Sequence, residues 1–231
     1  MQMVILAGGL GTRLRDVVRG PKCLVSVHGH PLLAHLLDFA RRAGADDILI
    51  AAGYQAAAIR NFLATDPAWA YGVDMMVEPE PLGTAGALRH ALPRLDATFG
   101  VLNGDTLLVG DFGSLWKFHL TRAALATLAV VEGGGADYGA VAVEGMPGRV
   151  QAFSEKSEAG GYISAGLAVM ARPVIAALPP GRHSLEREVL PDLAAQGGLY
   201  AFPFTRMYDI GTPARLRRAD EKWEGPESPP Q

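Results

Sequence analysis

Cysteine is almost absent: Cys23 is the single one in 231 residues. No intrachain disulfide can form, and no cysteine-based zinc site can be assembled, so a reduced compartment is expected. Charge is scarce too. Charged residues make up 19% of the chain and the net charge is −3, with a pI near 6.1. That excludes the basic face a nucleic-acid partner needs, while leaving room for a local cationic cluster around a nucleotide. No apolar run approaches the roughly 18 residues of a membrane span. The opening Met1-Gln2-Met3-Val4-Ile5-Leu6-Ala7 carries no basic leader. The expectation is a cytoplasmic protein with neither membrane nor nucleic-acid partners, its oligomeric state open and a homo-oligomer among the options. His28, His30, His35, His90, His119 and His183 show no metal-ligand spacing, and no internal repeat is visible.

What is present is core material: 49% of residues are hydrophobic, ample for one large α/β domain. Val4 to Ala7 is a short apolar run ending in glycines, the pattern of a buried parallel strand feeding a loop. Pro31 to Ala43 reads as a helix, with Leu32, Leu33, Leu36, Leu37 and Ala40 on one face, Arg41 and Arg42 in the last turn and Gly44 as the stop. Ile48–Ala52, Ala56–Leu63, Val73–Val77, a helix from Gly83 and Phe99–Leu102 follow in alternation. That order predicts a parallel sheet with helices on both faces. From about Ala126 the texture changes to short runs separated by glycine-rich turns, predicting antiparallel or mixed strands. Ser184 is a candidate N-cap for a following helix, and a basic helix runs through Arg218. A tail over 221–231 has little to bury and is expected to fray.

Leu6-Ala7-Gly8-Gly9-Leu10-Gly11-Thr12-Arg13 is the most informative segment. Glycines let backbone N–H groups approach a phosphate. Arg13 adds a fork of donors suited to phosphate oxygens, and Lys22, after Pro21, adds an ammonium. The loop lacks the Gly-Lys of a P-loop. A dinucleotide fingerprint would place Leu14 where a third glycine is needed, so a dinucleotide-dependent oxidoreductase is disfavoured.

Gly8-Gly9-x-Gly11-Thr12-Arg13 followed by Pro21-Lys22 resembles the signature of the sugar-1-phosphate nucleotidylyltransferases, and the match continues in order to about Asp220. The resemblance implies a Rossmann-like mixed, mainly parallel sheet with helices on both faces. It further implies one domain over 1–220, with a nucleotide-binding half over about 1–125 and a sugar-binding half over about 126–220. Arg13, Lys22 and Asp105 would be the catalytic residues. Leu6, Ala7, Gly8, Gly9, Gly11, Thr12 and Arg13 would line the nucleotide. So would Pro81, Leu82, Gly83 and Thr84, with Glu78 or Glu80 near the base edge. A glycine-rich entry to the helix at Gly83 would offer free N–H groups. Asn103, Gly104, Tyr138, Gly139, Glu155, Lys156 and Ser164 would face the sugar phosphate. Ser164 stands where many relatives have asparagine, so one sugar contact would be shortened or lost. Asp105 and Asp209 would hold Mg²⁺, which prefers one or two carboxylates plus phosphate oxygens and water. Cys23 stands where relatives commonly have proline, and no role is expected of it.

The implied reaction joins a nucleoside triphosphate to a sugar 1-phosphate and releases pyrophosphate. Within the family the chain looks most like the guanylyltransferases acting on D-glycero-α-D-manno-heptose 1-phosphate, with mannose 1-phosphate enzymes close behind. GTP is therefore the expected donor. Uridylyl transfer to N-acetylmuramate 1-phosphate, nucleotidylyl transfer to glucose 1-phosphate and a non-catalytic nucleotide-sugar sensor are the alternatives. The short stretch after Asp209 leads us to expect no appended β-helix or acetyltransferase domain.

Overall fold

A computed structural model of the chain describes residues 1–9, 14, 20–134, 137–155, 161–223 and 225. Alternation in the sequence becomes alternation in space. Strand β1 (Gln2–Ala7) leads past a small hairpin, β2 (Ser26–Val27) and β3 (His30–Pro31), to helix α1 (Leu32–Arg42). Then come β4 (Asp47–Ala52), α2 (Ala56–Leu63), α3 (Pro67–Ala70), β5 (Val73–Val77), α4 (Gly83–His90) and β6 (Thr98–Asn103). The second half runs β7 (Thr106–Val109), α5 (Phe112–Arg122), β8 (Ala126–Gly133), β9 (Gly139–Glu144), β10 (Gly148–Glu155) and β11 (Gly161–Ala171). It closes with α6 (Arg172–Ala176), a π-helical turn over Leu185–Val189, α7 (Leu190–Ala195), β12 (Leu199–Pro203), β13 (Arg206–Asp209) and α8 (Pro213–Lys222).

Among the described residues nine strands form one sheet in the order β5-β4-β1-β6-β11-β8-β12-β10-β9. The first four are parallel. From β11 onward most pairings are antiparallel, the exception being β12 beside β8. The two-residue period of a strand sends neighbouring side chains to opposite faces. Met3 and Ile5 join a core with Leu33, Leu36, Leu37, Ile59 and Leu115, under α1, α2 and α5. Val4 joins the opposite core with Leu88, Ile175, Leu190 and Leu193, under α4, α6 and α7. Each fully buried aliphatic side chain contributes about 1.5–3 kcal/mol. Both faces are thus covered, as expected. Among the described residues no helix is long and apolar enough to cross a membrane.

Strand order reverses at β1: β4 and β5 extend to one side of it, and β6 lies on the other. Ligands of open α/β sheets bind outside the carboxyl ends of the strands at such a point. A separate two-stranded sheet pairs β7 with β13, and its register sets Asp209 opposite Thr106.

The frayed tail is corrected at its start. Glu221 and Lys222 complete α8, and Trp223 is 3% exposed. Its indole stands edge-on to Tyr208 and His35 and donates to His35 Nδ1 at 3.3 Å. A large aromatic ring with a satisfied N–H is what anchors the segment. Residues 224 and 226–231 lie outside the described residues.

Candidate active site

Two strand ends build the centre. Leu6 and Ala7 close β1 and run into Gly8 and Gly9, while Asn103 closes β6 and runs into Gly104 and Asp105. Gly104 N donates to Leu6 O at 2.9 Å. A Cβ on Gly104 would lie 2.5 Å from that carbonyl, so only glycine lets the two ends approach this closely.

On one side lies a cavity of about 410 Å³. Leu6, Ala7, Gly8, Gly9, Glu78, Pro81, Gly83 and Thr84 line it, together with Gly104 and Arg182. Glu78 Oε2 accepts from Leu82 N at 3.2 Å, and burial raises the carboxyl pKa. Of the two acids offered for the base edge, Glu78 lines this cavity and Glu80 does not. Leu82 is buried and lies outside the lining, acting through its backbone. Gly83 holds φ at +74°, and a Cβ there would meet His183 O at 2.5 Å. The N-terminus of α4 is not open as expected: Ala85 N and Gly86 N donate to His183 O at 3.0 and 3.2 Å. The loop around residue 183 therefore caps those donors, and they are not free to meet a ligand. Gly11, Thr12 and Arg13 lie outside the described residues.

On the other side lies a cavity of about 280 Å³. Asn103, Tyr138, Gly139, Glu155 and Ser164, the residues expected on the sugar side, line it. Gly104, also expected there, lines the first cavity instead, because its lack of a side chain lets it sit against Leu6. Glu155 Oε2 accepts from Arg187 Nε at 2.5 Å. Lys156 lies outside the described residues.

Lys22, Asn103 and Asp105 belong to both cavities. Lys22 Nζ meets Asp105 Oδ2 at 2.6 Å, and Asp105 Oδ1 accepts from the Thr106 hydroxyl at 3.1 Å. Ile210 N donates to Asp105 O at 3.0 Å, tying the Asp209 strand to the Asp105 loop. Asp209 accepts from the Tyr138 hydroxyl, from Gly211 N at 2.8 Å and from Arg215 Nη1 at 3.3 Å. Arg215 also donates to Asp137 Oδ2 at 2.7 Å and lies 4.7 Å over the Tyr138 ring. Burial, then the Asp209 hydrogen bond, pushes the Tyr138 phenol well above its ordinary pKa, so it stays a donor. Cys23 lines the first cavity, but burial pushes its thiol up to about 12. It is a neutral wall residue at neutral pH.

No group of three or more His, Cys, Asp or Glu side chains placed to hold a metal ion occurs among the described residues. Asp105 and Asp209, the two acids expected to hold the metal, line one cavity together with Asp137, Glu155 and Glu186. An all-oxygen set of two carboxylates, completed by phosphate and water, fits a hard divalent cation.

Asp137, Arg182, Glu186 and Arg215 escaped the sequence reading. Arg215 lies in a helix with two further arginines, Arg217 and Arg218, and nothing local tells which one turns inward. Glu186 lies in the Ser184 segment, which was read as a helix start and as part of the family resemblance, with no role given to Glu186 itself.

The nucleotidyl transferase family model matches residues 2–225. Mannose-1-phosphate guanylyltransferase 1 of Arabidopsis thaliana is 33% identical over 223 residues, which are 92% of this chain and 62% of the relative. The mannose-1-phosphate guanylyltransferase of Mycobacterium tuberculosis is 35% identical over 219 residues, 91% of this chain and 61% of the relative. The chain thus spans less than two thirds of the length of these relatives. HddC from Yersinia pseudotuberculosis, solved in complex with GMP-PN, superposes with a TM-score of 0.82 at 30% identity, covering 96% of this chain and 99% of that one. A UDP-glucose pyrophosphorylase, at 15% identity and a TM-score of 0.82 over 96% of this chain and 97% of its own, shares the fold. Sequence match and fold agree along nearly the whole chain: it belongs to the nucleotidyl transferase family.

Proposed function

We propose that the protein transfers a nucleoside monophosphate from GTP to a sugar 1-phosphate, mannose 1-phosphate or D-glycero-α-D-manno-heptose 1-phosphate, releasing pyrophosphate. The observation that carries this reading is the sharing of Lys22 and Asp105 by two cavities. A two-substrate transfer needs two pockets that meet where the bond is made. The guanylyl choice draws on the relatives' names and on GMP-PN in HddC. Glu78 adds a chemical reason. A carboxylate can accept from both N1–H and the N2 amine of guanine, while uracil and thymine present one donor there.

An oxygen of the sugar phosphate attacks the α-phosphorus in line, forming the new P–O bond as the bond to the pyrophosphate oxygen breaks. The nucleophile is already anionic, so no proton need be removed. Bringing two anions together is the difficulty, and cations and positioning solve it. Lys22 must exchange Asp105 for a phosphate oxygen to act. Arg13 and Lys156 take the pyrophosphate and the acceptor phosphate by resemblance. Tyr138 and Arg215 hold Asp209 in place. Asp105 and Asp209 would hold Mg²⁺, which supplies charge neutralisation on the phosphates. The proposed partners are the two substrates alone, with no membrane or nucleic acid, and the proposed location is the cytoplasm.

The test measures pyrophosphate release with Mg²⁺, each triphosphate and a panel of sugar 1-phosphates. GTP with a manno-configured acceptor should be the best pair. A clear preference for UTP or dTTP would overturn the guanylyl assignment, and no release with any pair would overturn the transfer reading.

A further inference from the structure

Glu155 is the carboxylate that the sequence offers to the sugar, yet Arg187 holds it in an ion pair. A second carboxylate, Glu186, lines the same cavity and makes no ion pair among the described residues. Its Oε2 accepts from the Thr84 hydroxyl at 2.8 Å and from the Ser184 hydroxyl at 3.0 Å. Its Oε1 has no hydrogen-bond partner among the described residues. Two donors on one oxygen fix the carboxylate plane and leave the other oxygen as an acceptor.

The Thr84 contact is directional. Leu185 N donates to Thr84 Oγ1 at 2.8 Å, so the single hydroxyl proton of Thr84 is left to go to Glu186. Ser184 is fixed as well, because its Oγ accepts from Arg187 N at 3.2 Å. The backbone beneath is the π-helical turn over Leu185–Val189, anchored by buried Leu185 and Val189. Such wide turns are frequent at functional sites. Thr84 itself lines the cavity on the nucleotide side. One hydroxyl therefore joins the wall of one cavity to a carboxylate in the wall of the other.

We infer that Glu186 accepts a ring hydroxyl of the sugar phosphate, with Thr84 as the positioning residue that aims it. This rests on the transfer reading above. An acceptor-only oxygen repels the phosphate and suits the polyhydroxylated end of the substrate. It therefore sets which hydroxyl pattern is taken.

The test compares wild type with Glu186→Gln on the best sugar 1-phosphate and its monodeoxy analogues, following pyrophosphate release. Glutamine can keep the Thr84 contact through its amide oxygen, but it turns an N–H₂ donor toward the sugar. The KM for the sugar phosphate should rise about tenfold or more, the loss expected when a hydrogen bond to a charged group goes. The KM for the triphosphate should move less than about twofold, which also reports an intact fold. One deoxy analogue should lose about tenfold in wild type and nothing further in Glu186→Gln. Thr84→Val should raise the sugar-phosphate KM in part, and Thr84→Ser should restore it. An active wild type whose deoxy penalties all persist unchanged in Glu186→Gln would overturn the assignment of Glu186. An inert wild type would overturn the transfer reading, and this inference with it.

Discussion

The two cavities are built by different means. The one beside Gly8 and Gly83 is shaped by backbone: two strand ends pressed together through Gly104, and a helix entry at φ +74° whose N–H groups are capped by His183. The one beside Tyr138 is shaped by side chains brought from β7, β10, β11, β13, the π-helical turn and α8. Its order rests on pairs such as Arg215 with Asp137 and Arg187 with Glu155. Backbone-built walls leave little freedom for substitution. Side-chain-built walls can be rewritten one residue at a time, so on the proposed reading nucleotide chemistry would be fixed on one side and acceptor choice adjustable on the other.

The sharpest way to break the comparison is at a residue both cavities share. Lys22→Ala should lower kcat by roughly a hundredfold to a thousandfold, the cost of one preorganised transition-state contact. Steady-state pyrophosphate release on a folded variant measures it, and a near-normal rate would remove Lys22 from the chemistry. Next in size is Gly104→Ala. The added methyl faces backbone in a central strand, which cannot move aside as a flexible side chain would. Denaturant unfolding should show a loss of about 1–3 kcal/mol, the cost of overpacking. Arg215→Ala should confine its effect to the side-chain-built wall. The KM for the sugar phosphate should rise about tenfold as Asp137 and Asp209 lose a charged partner, with the triphosphate KM within about twofold. An equal rise for both substrates would erase the distinction between the cavities.

The effect most remote from turnover concerns the scaffold behind the side-chain-built cavity. His119 of α5 is 2% exposed and lies 3.0 Å from the Thr127 hydroxyl of β8. Burial lowers its pKa from 6.5 to about 4. The folded protein thus binds that proton less readily than the unfolded chain. The stabilisation is fully present above pH 6.5 and is lost as pH falls toward 4. The loss amounts to roughly 3 kcal/mol at most. Thermal unfolding of wild type and His119→Gln between those limits should show a steeper fall in wild type. Parallel profiles would remove His119 as a source of pH sensitivity.

The same contrast explains what the sequence disclosed. β1, α1 and β4 were legible because apolar periodicity and end signals such as Gly44 act over a few residues. The Gly8-Gly9 turn was legible for the same reason, while the place of Pro81-Leu82-Gly83-Thr84 came from the family resemblance. Helix α5 was not assigned, since Phe112-Gly113-Ser114 and the aromatic Trp116 and Phe118 give weak helix preference. Only the Asp111 cap, accepting from Ser114 N, marks its start. The β7–β13 pair went unread because its strands are about a hundred residues apart and four residues long. That pair is what brings Asp209 to Asp105, which the family resemblance supplied and local pattern could not. Arg215 and Glu186 were illegible for a related reason: their partners are distant, Asp137 for one and Thr84 for the other.

The most direct test is a crystal structure of the protein with GDP-mannose bound. The account predicts guanine beside Glu78 and Gly83, the mannose ring between Tyr138, Glu155 and Glu186, and the diphosphate at Lys22 and Asp105. A nucleotide-sugar lying wholly within one cavity, or with its diphosphate away from Lys22, would contradict it.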